Sequence, residues 1–259
     1  MALNLGNQTL GRGELHFSLF ASGSHTPAGW RYLGNSPSFS LTIDQEKLDH
    51  FNSDRGVRVK DKSVILQVDY SGSLTLDDIN VQNLALFFFG SQSALAQTSA
   101  TSQSQSFTSV VQGYGYQLGI GSSNPTGVRS ISNVVVTVSA SAKTLGTDYT
   151  IDAARGIIYV VEGGGIADGA TMAVTYDRAA VNRKQVISGT TQLEGALKFI
   201  SYNPDGEQND YYFPYVRLGP NGDFELKSDE WQQLPLTVEI LRDTAYSKEA
   251  IYIDGQPYT

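Results

Sequence analysis

Apolar and polar positions alternate along most of this chain, and the alternation breaks abruptly in a few places. Across residues 63–71, Val64, Leu66, Val68 and Tyr70 alternate with Ser63, Gln67, Asp69 and Ser71, with Ile65 the one apolar exception. This period of two predicts a strand with one buried face. The period then changes. Val81, Leu84, Ala85 and Phe88 fall at i, i+3, i+4 and i+7, behind Asp77 and Asp78 and ahead of Gly90, which predicts a short amphipathic helix over 77–89.

The same reading predicts strands in ELHFSLF (14–20) and SFSLTI (38–43), on either side of a Gly/Ser/Pro-rich turn segment at 21–29. Residues 91–109, a Ser/Gln/Thr/Ala tract poor in large apolar side chains, read as a long surface loop or edge extension. Four short strand candidates follow in NVVVTVSA, DYTID, GIIYVVEG and TMAVTYD, so 125–180 is expected to form a small inserted β unit. Residues 1–124 and 181–259 would then form the main domain. In the last third, Pro214 within YYFPYV places that strand at an edge or a bulge. GPNGD followed by Phe224 and Leu226 suggests a tight hairpin, and the alternation of Leu236, Val238 and Ile240 suggests a late strand that closes the sheet begun near the N-terminus. The fold class is mainly β, with one short helix.

At 259 residues the chain buries an adequate core without staples, and it contains no cysteine, which excludes thiol chemistry and Cys-ligated metal. The longest apolar run, LALFFF (84–89), is far short of the roughly 20 residues a membrane helix needs. The N-terminal residues lack the basic start and apolar stretch of a secretory leader, so cytoplasmic synthesis is expected. A net charge of −8 argues against a surface that grips nucleic acid, because affinity for phosphates comes from clustered Lys and Arg.

Candidate chemistry is sparse. His16, His25 and His50 share no metal-ligand spacing and read as loop or surface histidines. The glycine run GYGYQLGIG (113–121) is not followed by a helical pattern and reads as a turn rather than a phosphate cradle. Asp205, Glu207 and Asp210, and Asp229 with Glu230, read as solvated turns before they read as paired catalytic acids. The aromatic run Tyr211, Tyr212, Phe213 and Tyr215 divides between two strand faces, which favours core plus interface over a carbohydrate platform. No catalytic residue, metal or cofactor is expected.

Residues 44–62, DQEKLDHFNSDRGVRVKDK, are different. Asp44, Glu46, Asp49 and Asp54 are opposed only by Lys47, whereas Arg55, Arg58, Lys60 and Lys62 are opposed only by Asp61. The segment therefore divides into an acidic half and a basic half. As a hairpin the halves would attract each other, and in a ring of copies the acidic half of one could meet the basic half of the next. With few apolar residues of its own, the segment is expected to stay disordered in a lone chain.

YLGNSPSFSLTIDQEKLDHFNSDRGVRVKDKSVILQVDYSGSLTLDDINVQNLALFFFG resembles the N-terminal half of the major tail tube proteins of long-tailed, non-contractile bacteriophages. The later strings GTDYTIDAARGIIYVVEGGGIADG, LEGALKFISYNPDGEQNDYYFPYV and SDEWQQLPLTVEIL resemble the same family. The resemblance implies a structural virion protein, made in the host cytoplasm, with a tail-tube sandwich or barrel fold. Such proteins stack as hexameric rings around a lumen through which DNA passes without specific binding. It implies tape measure, tail terminator and tail tip proteins as further partners, and it assigns Asp44, Glu46, Asp49, Asp54, Arg55, Arg58, Lys60 and Lys62 to a long extended loop between subunits or rings. The alternative, an extracellular β-rich adhesin or carbohydrate-binding module, is permitted by composition and by the aromatic run.

Overall fold

The computed structural model describes residues 8–54 and 56–255. The chain runs through β1 (Gly13–Leu19), β2 (Arg31–Tyr32), β3 (Ser38–Asn52), β4 (Val59–Leu76) and the single helix α1 (Val81–Phe87). Next come β5 (Ser91–Gln97), β6 (Ala100–Phe107), β7 (Gly115–Gln117), β8 (Ile131–Val138), β9 (Ser141–Ala142), β10 (Tyr149–Asp152), β11 (Ile157–Val160) and β12 (Met172–Arg178). The remainder is β13 (Val181–Ile187), β14 (Leu193–Ser201), β15 (Asn209–Pro220), β16 (Leu234–Ile240) and β17 (Tyr252–Gly255). The fold is mainly β, and the strand pairs of its eight-, four- and three-stranded sheets are antiparallel.

The chain divides into two compact units, one made of residues 1–92 and 186–259 and the other of 93–185. The first is organised by an eight-stranded sheet in the order β2-β1-β14-β15-β16-β4-β3, with β17 pairing the first half of β15. The path is open at β2 and β3. The expected closure by the last long strand therefore does not occur; β16 joins β15 to β4 inside the sheet.

Register decides what each face carries. Phe39↔Leu74↔Leu236, Leu41↔Gly72↔Val238↔Leu218 and Ile43↔Tyr70↔Ile240↔Val216 form cross-strand rows on one face. Leu74, Leu236, Val238, Leu218, Ile240 and Val216 are buried there with Leu86 and Phe87 of α1, each such side chain contributing about 1.5–3 kcal/mol. The intervening rows are polar. Ser40↔Ser73↔Thr237↔Gly219 is one, and Thr42↔Ser71↔Glu239↔Arg217↔Glu194 is another. Pro214 lies where the β14 ladder slips between Gly195 and Leu197, so the proline sits at a bulge, as its missing N–H requires.

Three local expectations are corrected. The helix starts at Val81 rather than 77, because Asn80 caps it by accepting from the N–H groups of Gln82 (3.0 Å) and Asn83 (2.9 Å). Its buried face is Asn83, Ala85, Leu86 and Phe87, while Phe88 is exposed. The cause is Asn83, whose amide donates to the carbonyls of Leu33 (2.7 Å) and Asp78 (2.8 Å) and accepts from Arg31 Nη1 (2.8 Å), turning that position inward. Residues 221–233 form no strand, so Phe224 and Leu226 do not continue a tight hairpin; β15 and β16 are joined by a longer loop. Residues 91–97 and 100–107 are strands and not a surface loop, with β6 at a sheet edge as the alternative reading of this tract has it.

That last correction moves the unit boundary. β6 pairs with β12 from Phe107↔Met172 onward, as the edge of a four-stranded sheet ordered β6-β12-β8-β9. Residues 93–124 thus belong to the inserted unit, which begins at Ser93 rather than 125 and ends at Gln185. Its three-stranded sheet β10-β11-β7 and the four-stranded one share a core that includes Tyr149, Ile158, Val160, Val136, Met172 and Val174. The four strands expected in 125–180 all form.

The chain enters and leaves this unit side by side. β5 pairs with β13, Gln185 Nε2 donates to Ser93 Oγ at 3.0 Å, and Gly189 N–H donates to Phe88 O at 3.1 Å. Replacing residues 93–185 with a short Gly/Ser linker is therefore expected to leave the rest folded, because joining neighbouring ends costs little loop entropy. A cooperative thermal melt of the deletion variant checks this, and loss of all soluble protein would mean that the insert completes the larger unit.

Candidate assembly surface

Residues 44–52 and 59–62 are strand and not a loop. β3 and β4 pair from Ser38↔Thr75 to Asn52↔Val59, and β16 accompanies β4 only between Leu76 and Tyr70. Beyond Tyr70 the hairpin continues alone, roughly 35 Å at about 3.3 Å per residue, with both long edges unpaired among the described residues. The disorder expected from the shortage of apolar residues is offset by ladder hydrogen bonds, which do not depend on side chains.

Two bulges shape this arm, one between Glu46 and Lys47 and one between His50 and Phe51. The first leaves Leu66 without an opposite residue. It shifts the faces of β4 by one position, so that Ile65 falls on the side of Val68 and Val64 on the other. The apolar exception in the alternation marks this bulge. The expected buried face is absent over this stretch: Val64, Ile65, Leu66 and Val68 are all exposed, with Leu48, Val57 and Val59 nearby. A long edge strand carrying exposed apolar side chains is a ready template for pairing with another chain.

The charged residues do not align as acidic half against basic half. Asp44 lies opposite Asp69 and Glu46 opposite Gln67, both on the polar face near the base of the arm. Asp49 is paired within its own hairpin: Lys60 Nζ is 2.6 Å from Oδ1, and Ser63 Oγ donates to the same oxygen at 2.6 Å. Asp54 lies in the turn, where its N–H donates to Asn52 Oδ1 at 2.9 Å. Arg58 stacks over the Phe51 ring at 5.3 Å, and Lys62 lies opposite His50. Arg55 lies outside the described residues. The division of charge visible in the sequence is thus partly satisfied inside one molecule.

The base of the arm continues the polar face of the sheet. Asp44↔Asp69 and Glu46↔Gln67 form the next rows on that face, beyond the row that holds Glu239, Arg217 and Glu194, in which Arg217 is the one cation, 2.9 Å from Glu194 and 3.9 Å from Glu239. Tyr215 also donates to Glu194 (2.8 Å), and this hydrogen bond together with Arg217 holds the Glu194 carboxyl below the ordinary range. The face is small, polar and acidic. Of the charged segment only Asp44 and Glu46 contribute to it near the sheet; the further signal lies in the Ser/Thr positions of SFSLTI and SGSLTL, which the apolar pattern overshadows.

The other candidates are structural. His16 pairs with Glu14 and His50 with Asp61. His25 Nδ1 lies 3.0 Å from buried Asp243, and the ring stacks on Phe20 and tilts against Tyr215. Among the described residues no three His, Asp or Glu side chains gather as a metal cluster. Phe213 is buried while Tyr211, Tyr212 and Tyr215 are half-buried, which places the aromatic run between core and surface. No helix among the described residues is long and apolar enough to cross a membrane.

Hydrogen bonds from Lys60 and then Ser63 hold the Asp49 carboxyl below its ordinary pKa. A depressed folded-state pKa adds stability above the unfolded value, which is lost as pH falls through the folded one. Asp49→Asn is therefore expected to raise amide exchange along the outer arm at neutral pH without moving the global melt. Wild type should converge on the variant as pH falls below the usual carboxylate pKa near ~4. Equal protection factors at pH 7 would remove the pairing from the account of arm stability.

No curated protein matches the chain. A family model described as "Protein of unknown function UCP028589" matches residues 8–251, and the chain belongs to that family.

Proposed function

We propose that this chain is a structural subunit that assembles with copies of itself into stacked rings, forming the tube of a phage tail through which DNA is delivered. The observation that carries the reading is the open one-sided sheet: its apolar face is covered within the chain from β14 to the inner half of β4, its other face carries a run of carboxylates, and its β3 edge is unpaired from Ser38 to Asn52 among the described residues. Unpaired edges of this length are avoided in proteins that stay monomeric. Joining β3 of one copy to the β1–β2 side of the next satisfies both edges and turns the polar faces toward a common axis.

A wall lined by Asp44, Glu46, Asp69, Glu239 and Glu194 suits the passage of a polyanion, because it repels phosphates; of the cations that β14 and β15 place on this face, Arg217 is held by Glu194 and Glu239, and Lys198 lies over the Trp30 and Tyr212 rings. The resemblance supplies the six-fold ring and the further tape measure, terminator and tip partners; the sheet supplies the reason that copies join. Function on this reading is geometry and electrostatics, with no reaction.

The test replaces residues 47–66 with Asn-Gly, closing the hairpin at the base of the arm between Glu46 and Gln67. Negative-stain microscopy and sedimentation of the concentrated wild-type chain are expected to give rings or tubes, and the variant to keep its fold but lose stacked assemblies. Discrete wild-type monomers at every concentration would overturn the proposal.

A further inference from the structure

The two ends of β4 carry features that complement each other. At its C-terminal end, beyond Leu76, the loop 221–233 displays Trp231 at 93% and Leu226 at 80% exposure, the largest values among the exposed large apolar residues. The loop is not slack. Gln232 Nε2 donates to Glu225 O at 3.0 Å, and the Ser228 hydroxyl accepts from Glu230 N–H at 3.2 Å. Two hollows border Trp231: one of about 330 Å³ is lined also by Asp77, Ile79 and Glu230, and one of about 220 Å³ by Asp223, Glu225, Glu230 and Pro235. None of these four carboxylates has a cationic partner among the described residues.

At the N-terminal end of β4, at the tip of the arm, Val57 is 76% exposed beside Arg58, Val59 and Lys62. Neither Arg58 nor Lys62 has a carboxylate partner among the described residues. Residues 47–62 hold five of the twelve basic residues outside the 93–185 unit, so the arm is where cations are concentrated. One end of the sheet thus offers unpaired carboxylates around an exposed indole, and the other offers unpaired cations around exposed valines.

We infer that the arm tip of one copy docks on the Trp231 loop of a second copy, with Arg58 and Lys62 set among Asp77, Glu225 and Glu230 and the tip valines against Trp231 and Leu226. Because the two patches lie at opposite ends of one strand, the contact is head to tail, and repeating it extends the assembly along the strand direction without using up either patch. Desolvated tryptophan is the residue type most often found at the centre of a binding hot spot, and a cation over its face adds attraction. The inference rests on the reading of the chain as self-assembling, and it names the surface that receives the arm.

The test uses Trp30→Phe, which leaves Trp231 as the only tryptophan of the two in the chain. Its emission is expected to shift to the blue as the full-length protein assembles, with assembly scored separately by sedimentation and microscopy. Glu225→Lys with Glu230→Lys should weaken stacking at least tenfold, as should Arg58→Glu with Lys62→Glu, and combining the four should restore it, while circular dichroism of each variant matches wild type. Assembly without a blue shift, or a combined variant no better than either pair, overturns the docking and leaves the tube reading standing. A wild-type chain that does not assemble overturns both.

Discussion

An antiparallel sheet that packs on one face only has no freedom in where it places its polar residues. Leu74, Leu236, Val238 and Leu218 must point toward α1, and with a side-chain period of two this fixes Ser73, Thr237 and Gly219 on the opposite face, and in the next row Ser71, Glu239, Arg217 and Glu194. A slip of one residue in any ladder would exchange the two sets, so the burial of the core and the character of the exposed face are one constraint. The outer edge of β3 follows from it as well. The last strand on the path has ladder groups on its free side that only water or another chain can satisfy.

Much of this was legible in the sequence, and the failures are instructive. Alternation located β1, the start of β3, β16 and the strands β8, β10, β11 and β12 of the inserted unit, because in each the apolar set is what holds the strand down; it located β4 as well, although the outer half of that strand is held by its ladder and buries no face. It missed β5 and β6, where SQSALAQ and ATSQSQSF contribute little to a core; β6 is a strand because β12 gives it hydrogen bonds. The helix was visible but rotated, since a buried Asn83 satisfied by two carbonyls and a guanidinium does not register in an apolar periodicity. The insert was visible but truncated at its start for the same reason as β6.

For the candidate assembly surface, composition shows that 44–62 is charged and divided, but register depends on bulges. A bulge at Leu66 and another near Lys60 set Asp44 against Asp69 and Asp49 beside Lys60, pairings that no count of charges along the chain contains. The Asp44–Asp69 apposition is unfavourable in isolation. It persists on an exposed face where water screens it, and it keeps the base of the arm acidic. Trp231 escaped notice because WQQLPLTVEIL reads as the start of a buried strand, whereas the strand begins at Leu234 and leaves the indole outside.

Charge is distributed as unevenly as burial. The 93–185 unit holds six basic and five acidic residues, so the net negative charge of the chain resides entirely in the unit that contains the large sheet. There the carboxylates serve two environments. On the polar face Glu194 and Glu239 share Arg217, whereas Asp44, Glu46 and Asp69 have no cationic partner among the described residues, and a surface with such an excess of carboxylates lowers the local concentration of polyanions. Those around Trp231 flank exposed apolar area, where a carboxylate gains more from an incoming cation because the contact excludes water. On the reading proposed above, the same residue types repel one class of partner on the face of the sheet and favour another at its end, and the difference lies in whether apolar surface stands beside them.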